Sequence, residues 1–378
     1  MKILLTGGGT AGHIIPLLAV VSEVKRLSHK RKIGKLEFML ITSDANFDKS
    51  IFDAGIEVKV VMAGKLRRYF SLKNITDIFR IPVGVLQSLV HIYRFKPDVV
   101  FSKGGFASIP PVIAAWLLKT PILTHESDIV PGLANKIISF FASEILVSFE
   151  DTRKYFPTKE VVVMGNPIRE DVFLGDREYA RKVFDLKENL PTVLIYGGSQ
   201  GAQKINNVVL ESLPDILQRC QVVHICGDKN YEGVKKKIKA LRLERLERYK
   251  VFPFLSGKLK DVYALCDVVI SRAGANSLFE IMALEKPSIV IPLPSSANNH
   301  QLKNARFFEK RGMLFLIEEK DLTSRKLIES LFRLLQEKEV SDRMKENIRK
   351  YNDSTRRKAA VSIAEEILRF KSEKIVSF

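Results

Sequence analysis

The chain opens on a short apolar run, Ile3, Leu4 and Leu5, followed by Gly7, Gly8 and Gly9 and then by Ile14, Ile15, Leu17, Leu18 and Val20. A run that is continuous rather than alternating, and too short for a helix, predicts a strand buried on both faces. The glycines permit a tight turn and close backbone approach to a ligand, and Gly12 is expected to open a helix. Pro16 is expected in that helix's first turn, where a missing N–H is tolerated. Free N–H groups at a helix start favour an anion. The same dipole end disfavours imidazolium, which would keep His13 neutral and able to accept a proton.

The pattern recurs down the chain. Apolar runs at 36–41, 57–61, 98–101, 121–124, 144–148 and 161–164 alternate with helical periodicities. Such alternation implies βαβ units and a parallel, doubly wound sheet. GNPIRED, at 165–171, breaks the rhythm with Gly and Pro and reads as an interdomain hinge. At 192–209, TVLIYGGSQGAQKINNVV begins again with strand, glycine turn and helix, and Gly197, Gly198 and Gly201 have the spacing of Gly8, Gly9 and Gly12. Further strands are expected at 221–225, 250–252, 268–270 and 288–292. Two similar α/β domains also suit 378 residues, which exceed one ordinary core. Residues 355–370 read as a closing helix with Ala359, Ala360, Ile363, Ile367 and Leu368 on one face.

Composition adds a charge signal. The chain is 46% hydrophobic and 28% charged, as globular proteins are, but 61 Lys and Arg against 43 Asp and Glu give a formal +18. That balance points to an anionic partner, whether nucleic acid, lipid headgroup or polyphosphate, against the plainer reading of a solvated basic surface. One segment, 64–96, interleaves Lys65, Arg67, Arg68, Lys73, Arg80, Arg94 and Lys96 with Tyr69, Phe70, Ile75, Ile78, Phe79, Val83, Val85, Leu86 and Leu89. It suits either an anionic membrane interface or an amphipathic core helix with a basic outer face. Cys220, Cys226 and Cys266 lack metal-ligand spacing and read as packed free thiols. With Met1 running straight into a core strand, no signal peptide is expected, and no apolar stretch reaches spanning length.

Candidate chemistry lies after the strands, where open α/β sheets bind ligands. Gly7-x-Gly9-x-x-Gly12 formally matches a dinucleotide fingerprint, yet the acid wanted at the second strand's end arrives late, as Asp44. Two glycine turns in two domains suit a cleft holding a phosphate-bearing ligand from each side better than one NAD molecule. FSKGGFAS presents Lys103, Gly104 and Gly105, and THESDIVPG presents His125, Glu126 and Asp128. The latter could bind metal, but without a further histidine nearby it reads rather as a hydrogen-bonded cluster. SRAGANSLFE brings Arg272, Gly274 and Glu280, and NNHQLKNA brings amides to another helix start. Amides and carboxylates on helix turns are what a polyhydroxyl ligand needs.

GGGTAGH, SKGGF, HESDIVPGLANK, GNPIR, GGSQGA, RAGANSLFE and HQLKNA, in this order, resemble the MurG family of N-acetylglucosaminyltransferases. The resemblance implies the GT-B fold: two Rossmann-like domains, 1–168 and 169–350, facing a cleft, with a helix in 351–378 returning to the first. It implies transfer of N-acetylglucosamine from UDP-GlcNAc to the lipid-linked muramoyl acceptor, lipid I. Carried over by motif, Arg169 and Ser199 would meet the donor diphosphate, Phe254 and Leu255 would flank the uracil, and Glu280 would hold the ribose. Ala275, His300 and Gln301 would reach the sugar with Thr10, Ala11 and Gly12, and Asp128 would stand where an amide contacts the donor. Gly8, Gly9, Gly104, Gly105, His125 and Glu126 would take the acceptor, with His13 as the general base. Ile75, Phe79, Leu86 and Trp116 would face an anionic membrane on its cytoplasmic side. No cofactor, no metal and no nucleic-acid partner are expected. This chain reads HESD and GGF where members often read HEQN and GGY, so Phe106 lacks a hydroxyl. Rival readings are another GT-B lipid glycosyltransferase, a UDP-GlcNAc 2-epimerase and, from different classes, an NAD-dependent oxidoreductase and a non-catalytic membrane scaffold.

Overall fold

The computed structural model describes the chain except residues 9–10, 44–48, 65–71, 158, 199–200, 242–243, 256, 356–358 and 377–378. Side chains of 11, 49, 72–79, 354–355 and 371–376 are likewise outside the description. The chain divides into two compact units, Met1–Arg169 with Lys358–Phe378, and Glu170–Arg357.

In the first unit, strands β1 (Lys2–Thr6), β2 (Glu37–Thr42), β3 (Ile56–Val60), β4 (Val99–Ser102), β5 (Ile122–Glu126), β6 (Glu144–Val147) and β7 (Val161–Val163) form one sheet. Its order is β3-β2-β1-β4-β5-β6-β7, and every pairing is parallel. Strand period two explains why the runs are continuously apolar: Ile3, Leu5, Phe101, Leu123 and Leu146 feed one core, while Leu4, Val100, Ile122 and Ile145 feed another. Leu17, Val20, Val21, Val24 and Leu27 of helix Ala11–Lys30 cover the first core. Ile363, Ala364, Ile367 and Leu368 of helix Ala359–Val376 join them there. Helices Leu72–Phe95, Ile109–Leu117 and Leu133–Phe141 cover the other face.

The second unit repeats the plan with β8 (Thr192–Tyr196), β9 (Gln221–Ile225), β10 (Tyr249–Phe252), β11 (Val268–Ser271), β12 (Ser288–Val290) and β13 (Phe315–Leu316), ordered β10-β9-β8-β11-β12-β13 and all parallel. All three cysteines are free and buried.

Three expectations are revised. Pro16 lies in the second turn of helix Ala11–Lys30, because that helix starts immediately at the glycine turn. Thr355 ends a separate helix, Lys338–Thr355, and the closing helix runs over Ala359–Val376. Two-residue β13 adds an edge strand too short to show a pattern.

Candidate functional site

Each sheet has a point where the order reverses, β1 beside β4 in the first unit and β8 beside β11 in the second. Loops leaving adjacent strands there diverge to opposite faces and leave a crevice.

In the first unit the turn after β1 meets the loops after β4 and β5. A Cβ on Gly8 would collide with the Thr42 hydroxyl and come within 3.0 Å of the Ala107 methyl. One on Gly105 would meet the Gly8 carbonyl at 3.2 Å and the His13 ring at 3.3 Å. Gly104 and Gly105 both have φ of 84°, a conformation that also requires glycine. The glycines therefore let two strand ends close on His13. Its pKa is lowered, chiefly by burial and next by the nearby Lys103 charge, with Gly8's backbone and Asp128 opposing. The helix-dipole expectation of a neutral ring agrees in direction, although burial is the principal cause.

Beneath this turn lies a buried polar cluster. Lys103 Nζ is 2.6 Å from His125 Nδ1 and donates to the Ser127 hydroxyl and, at 3.5 Å, to Asn166 Oδ1. His125 Nε2 is 2.8 Å from the Gly165 carbonyl. An ammonium can only donate and a carbonyl can only accept, so His125 is the neutral Nε2–H tautomer. Burial first, and the Lys103 charge second, drive its pKa well down, in accord with that assignment. Glu126 accepts from the N–H of Asp128 at 2.9 Å and of Gly132 at 3.1 Å, and from Asn135 Nδ2 at 2.8 Å. Burial, reinforced by Asp128, raises it to about 7. His125 and Glu126 are thus both hydrogen-bonded, the first to Lys103 and Gly165 and the second to Asp128, Gly132 and Asn135. Ser127, Asn135 and Asn166 complete the cluster; only spatial proximity reveals them.

In the second unit, Gly198 and Gly201 have φ of 83° and 73° after β8. A Cβ on Gly201 would fall 2.6 Å from the Cys226 carbonyl, so the turns after β8 and β9 touch backbone to backbone. Asn206 donates to that carbonyl at 2.9 Å, and its own Oδ1 lies 3.0 Å from His224 Nε2. His224 Nδ1 lies 2.6 Å from the Tyr249 hydroxyl. Burial lowers His224 to about 3, leaving a neutral link that braces the turn. Its position inside an apolar strand hid it from sequence reading.

Helix Ala275–Ala283 begins after β11, with Ala275 buried at its first position. Glu280 is half-buried and accepts from Tyr263 at 3.3 Å, and the Tyr263 and Tyr196 hydroxyls lie 2.7 Å apart. Arg272 is buried, ion-paired with Glu319, and donates at 3.2 Å to the Ile291 and Pro292 carbonyls. Gln301 Oε1 accepts from the Leu293 N–H at 2.9 Å, and His300 begins helix His300–Glu309. Leu255 is buried while Phe254 is 64% exposed. Arg169 closes the first unit and is half-buried. Gly9, Thr10 and Ser199, with the side chains of Ala11, Ile75 and Phe79, lie outside the described residues. Among the described residues, no three His, Cys, Asp or Glu side chains cluster as a metal site.

Residues 3–147 match the glycosyltransferase family 28 N-terminal domain, and residues 192–365 match that family's C-terminal domain. The chain belongs to glycosyltransferase family 28. A family relative from Bacillus cereus, UDP-N-acetylglucosamine–N-acetylmuramyl-(pentapeptide) pyrophosphoryl-undecaprenol N-acetylglucosamine transferase 2, is 41% identical over 93% of this chain and 95% of its own length. MurG from Acinetobacter baumannii shares the fold, with a TM-score of 0.73 at 22% identity over 97% of this chain and 99% of the other. UDP-GlcNAc 2-epimerase from Neisseria meningitidis also shares it, at TM-score 0.70 and 16% identity over 97% and 99%. The family 28 fold is thus the two-sheet GT-B arrangement.

The first unit also carries exposed apolar side chains. Val83, Leu86, Val90 and Tyr93 recur along helix Leu72–Phe95 and are 42–68% exposed, and Trp116 (52%) and Phe140 (76%) stand on helices of the same sheet face. Arg80, Arg94, Lys119 and Lys136, on the same elements or beside them, are exposed as well. Apolar side chains accompanied by cations mark an interaction surface more often than chance exposure. Among the described residues, no helix is long and apolar enough to cross a membrane.

Proposed function

We infer that this chain is a MurG-type N-acetylglucosaminyltransferase. It moves N-acetylglucosamine from UDP-GlcNAc to the 4-hydroxyl of undecaprenyl-diphospho-muramoylpentapeptide, completing lipid II for peptidoglycan synthesis. The observation that carries this reading is 41% identity running through nearly the full length of both this chain and the Bacillus cereus transferase.

The reaction is an inverting displacement. The acceptor oxygen attacks the anomeric carbon, the bond from that carbon to UDP breaks, a base takes the hydroxyl proton and UDP leaves with the electron pair. His13 is the base: a lowered pKa keeps its ring unprotonated near neutral pH, the form a base requires. Gly8, Gly9, Gly104 and Gly105, together with His125 and Glu126, receive the acceptor diphosphate. On the donor side Arg169 and Ser199 offset the charge on the departing diphosphate. Glu280 takes the ribose hydroxyls, Phe254 and Leu255 flank the uracil, and Ala275, His300 and Gln301, with Thr10, Ala11, Gly12 and Asp128, serve the sugar.

The protein works as a peripheral enzyme at the cytoplasmic face of the membrane. Leu86, Trp116, Ile75 and Phe79 enter the interface while the basic residues meet anionic headgroups. The deciding experiment is UDP release from UDP-GlcNAc with and without a lipid I analogue. Release that depends on the analogue is expected; equal release without it would point to hydrolysis or epimerisation and overturn the reading. Protein groups alone carry the chemistry, so EDTA should leave the rate unchanged, and magnesium-restored activity after EDTA would refute that.

A further inference from the structure

Lys103 is 2% exposed, so its ammonium is taken out of water, a costly state unless charge or hydrogen bonds compensate. Its hydrogen-bond partners His125 Nδ1, the Ser127 hydroxyl and Asn166 Oδ1 are all neutral. Among the described residues, no carboxylate pairs with it directly. The backbone is equally fixed: Lys103 N–H donates to the Thr6 carbonyl at 2.8 Å, and a Cβ on Gly7 would press on Lys103 Cβ at 3.4 Å. The lysine stem thus lies under the first glycine turn, and its head ties β4 and β5 to the segment after β7.

We propose that Lys103 is a positioning residue of the acceptor site: its ammonium locks His125 as the Nε2–H tautomer and keeps a positive charge, free of any ion pair, beneath the glycine turn for the acceptor's diphosphate. This rests on the acceptor reading given above. Three neutral partners satisfy the ammonium's hydrogen bonds without neutralising it, and a polyanion arriving at the turn supplies the missing charge. The titratable groups around it are the neutral rings of His13, on helix Ala11–Lys30, and His125, of β5, together with the carboxyls of Glu126, at the end of β5, and Asp128, just beyond it. Burial depresses Lys103 to about 7, with Glu126 and Asp128 pulling upward. A bound diphosphate adds to that upward pull, so above neutral pH acceptor binding draws a proton onto Lys103.

The test compares wild type with Lys103→Met, which keeps an unbranched side chain one atom shorter and removes the charge. With a lipid I analogue, the variant's acceptor KM should rise at least about tenfold, the scale of removing one poorly screened charge near the diphosphate, while donor KM stays within about twofold. Calorimetric titration of the analogue at pH 8, in two buffers of different ionisation enthalpy, should show greater proton uptake by wild type than by Lys103→Met. Unchanged acceptor KM, or equal proton uptake, overturns the proposal. Wild type failing to use the analogue refutes the functional reading instead. Should Lys103→Met not fold, ¹⁵N NMR of wild-type His125 decides: an Nε2–H signature is expected, and an Nδ1–H ring refutes the proposal.

Discussion

Two histidines in the first unit are held neutral by the same causes, burial and the nearby Lys103 charge, but they differ in exposure and hydrogen bonding, and that difference separates their uses. His125 is fully buried with both ring nitrogens engaged, so it can exchange no proton without breaking the cluster. His13 stands half-buried at the glycine turn, its pKa lowered by burial and Lys103. A base works deprotonated, and a lowered pKa keeps it so as pH falls through the ordinary histidine range near 6.5. The kcat of wild type should therefore hold level through pH 6.5 and fall only below it, and a fall centred above 6.5 would argue against His13. His13→Ala should lose about 100- to 10,000-fold in kcat at saturating substrates, and a loss under about tenfold would remove it as base. Glu280, in the second unit, accepts a hydrogen bond from the Tyr263 hydroxyl. Glu280→Gln keeps an acceptor for Tyr263 and loses the charge, so UDP-GlcNAc affinity should drop by about tenfold or more, with no change in melting temperature beyond a few degrees. Unchanged affinity in a titration would exclude it as the ribose ligand.

Among elements, the closing helix has a clear structural task. Ile363, Ile367 and Leu368 are at most 2% exposed and lie in the same core as Ile3 and Leu5. Ile367→Ala should cost about 2–5 kcal/mol, read as a lower urea midpoint, because a rigid sheet cannot collapse onto the space vacated. A cost below about 1 kcal/mol would mean that the helix docks loosely. The face that does this was legible in the apolar spacing, as was strand Gln221–Ile225, whose run of apolar residues ends at a glycine. The glycine turns were legible too, since their positive φ values and close contacts leave glycine little alternative. Partnership was not legible. Lys103 reaches His125 and Asn166 over 22 and 63 residues, and the His224 chain joins β9 to β10 and to the helix after β8. Such contacts follow from parallel strand order, which local periodicity does not encode. Helix starts suffered similarly: Pro16 was expected one turn too early because nothing local marks Ala11 as the first helical residue.

For the whole molecule, the formal +18 acquires a direction once the first unit's surface is considered. Exposed Leu86, Val90, Tyr93 and Trp116 are accompanied by Arg80, Arg94 and Lys119. Apolar insertion and headgroup attraction respond to different variables, so they can be measured apart. Insertion follows buried apolar area at about 25 cal/mol per Å² and is nearly indifferent to salt. Headgroup attraction contributes on the order of 1 kcal/mol per cation near the surface and decays within a Debye length, about 10 Å at 0.1 M salt. Sedimentation with vesicles containing phosphatidylglycerol should therefore bind the protein strongly at low salt and more weakly at 0.5 M salt, while neutral phosphatidylcholine vesicles bind it poorly throughout. The double variant Leu86→Glu, Trp116→Glu should lose binding at both salt concentrations, yet turn over a detergent-solubilised lipid I analogue at close to the wild-type rate, because neither side chain belongs to the glycine-turn site. Retained vesicle binding by that variant would return the basic helix to the alternative of a solvated outer face. Loss of turnover with the soluble analogue would instead make these residues part of acceptor recognition itself.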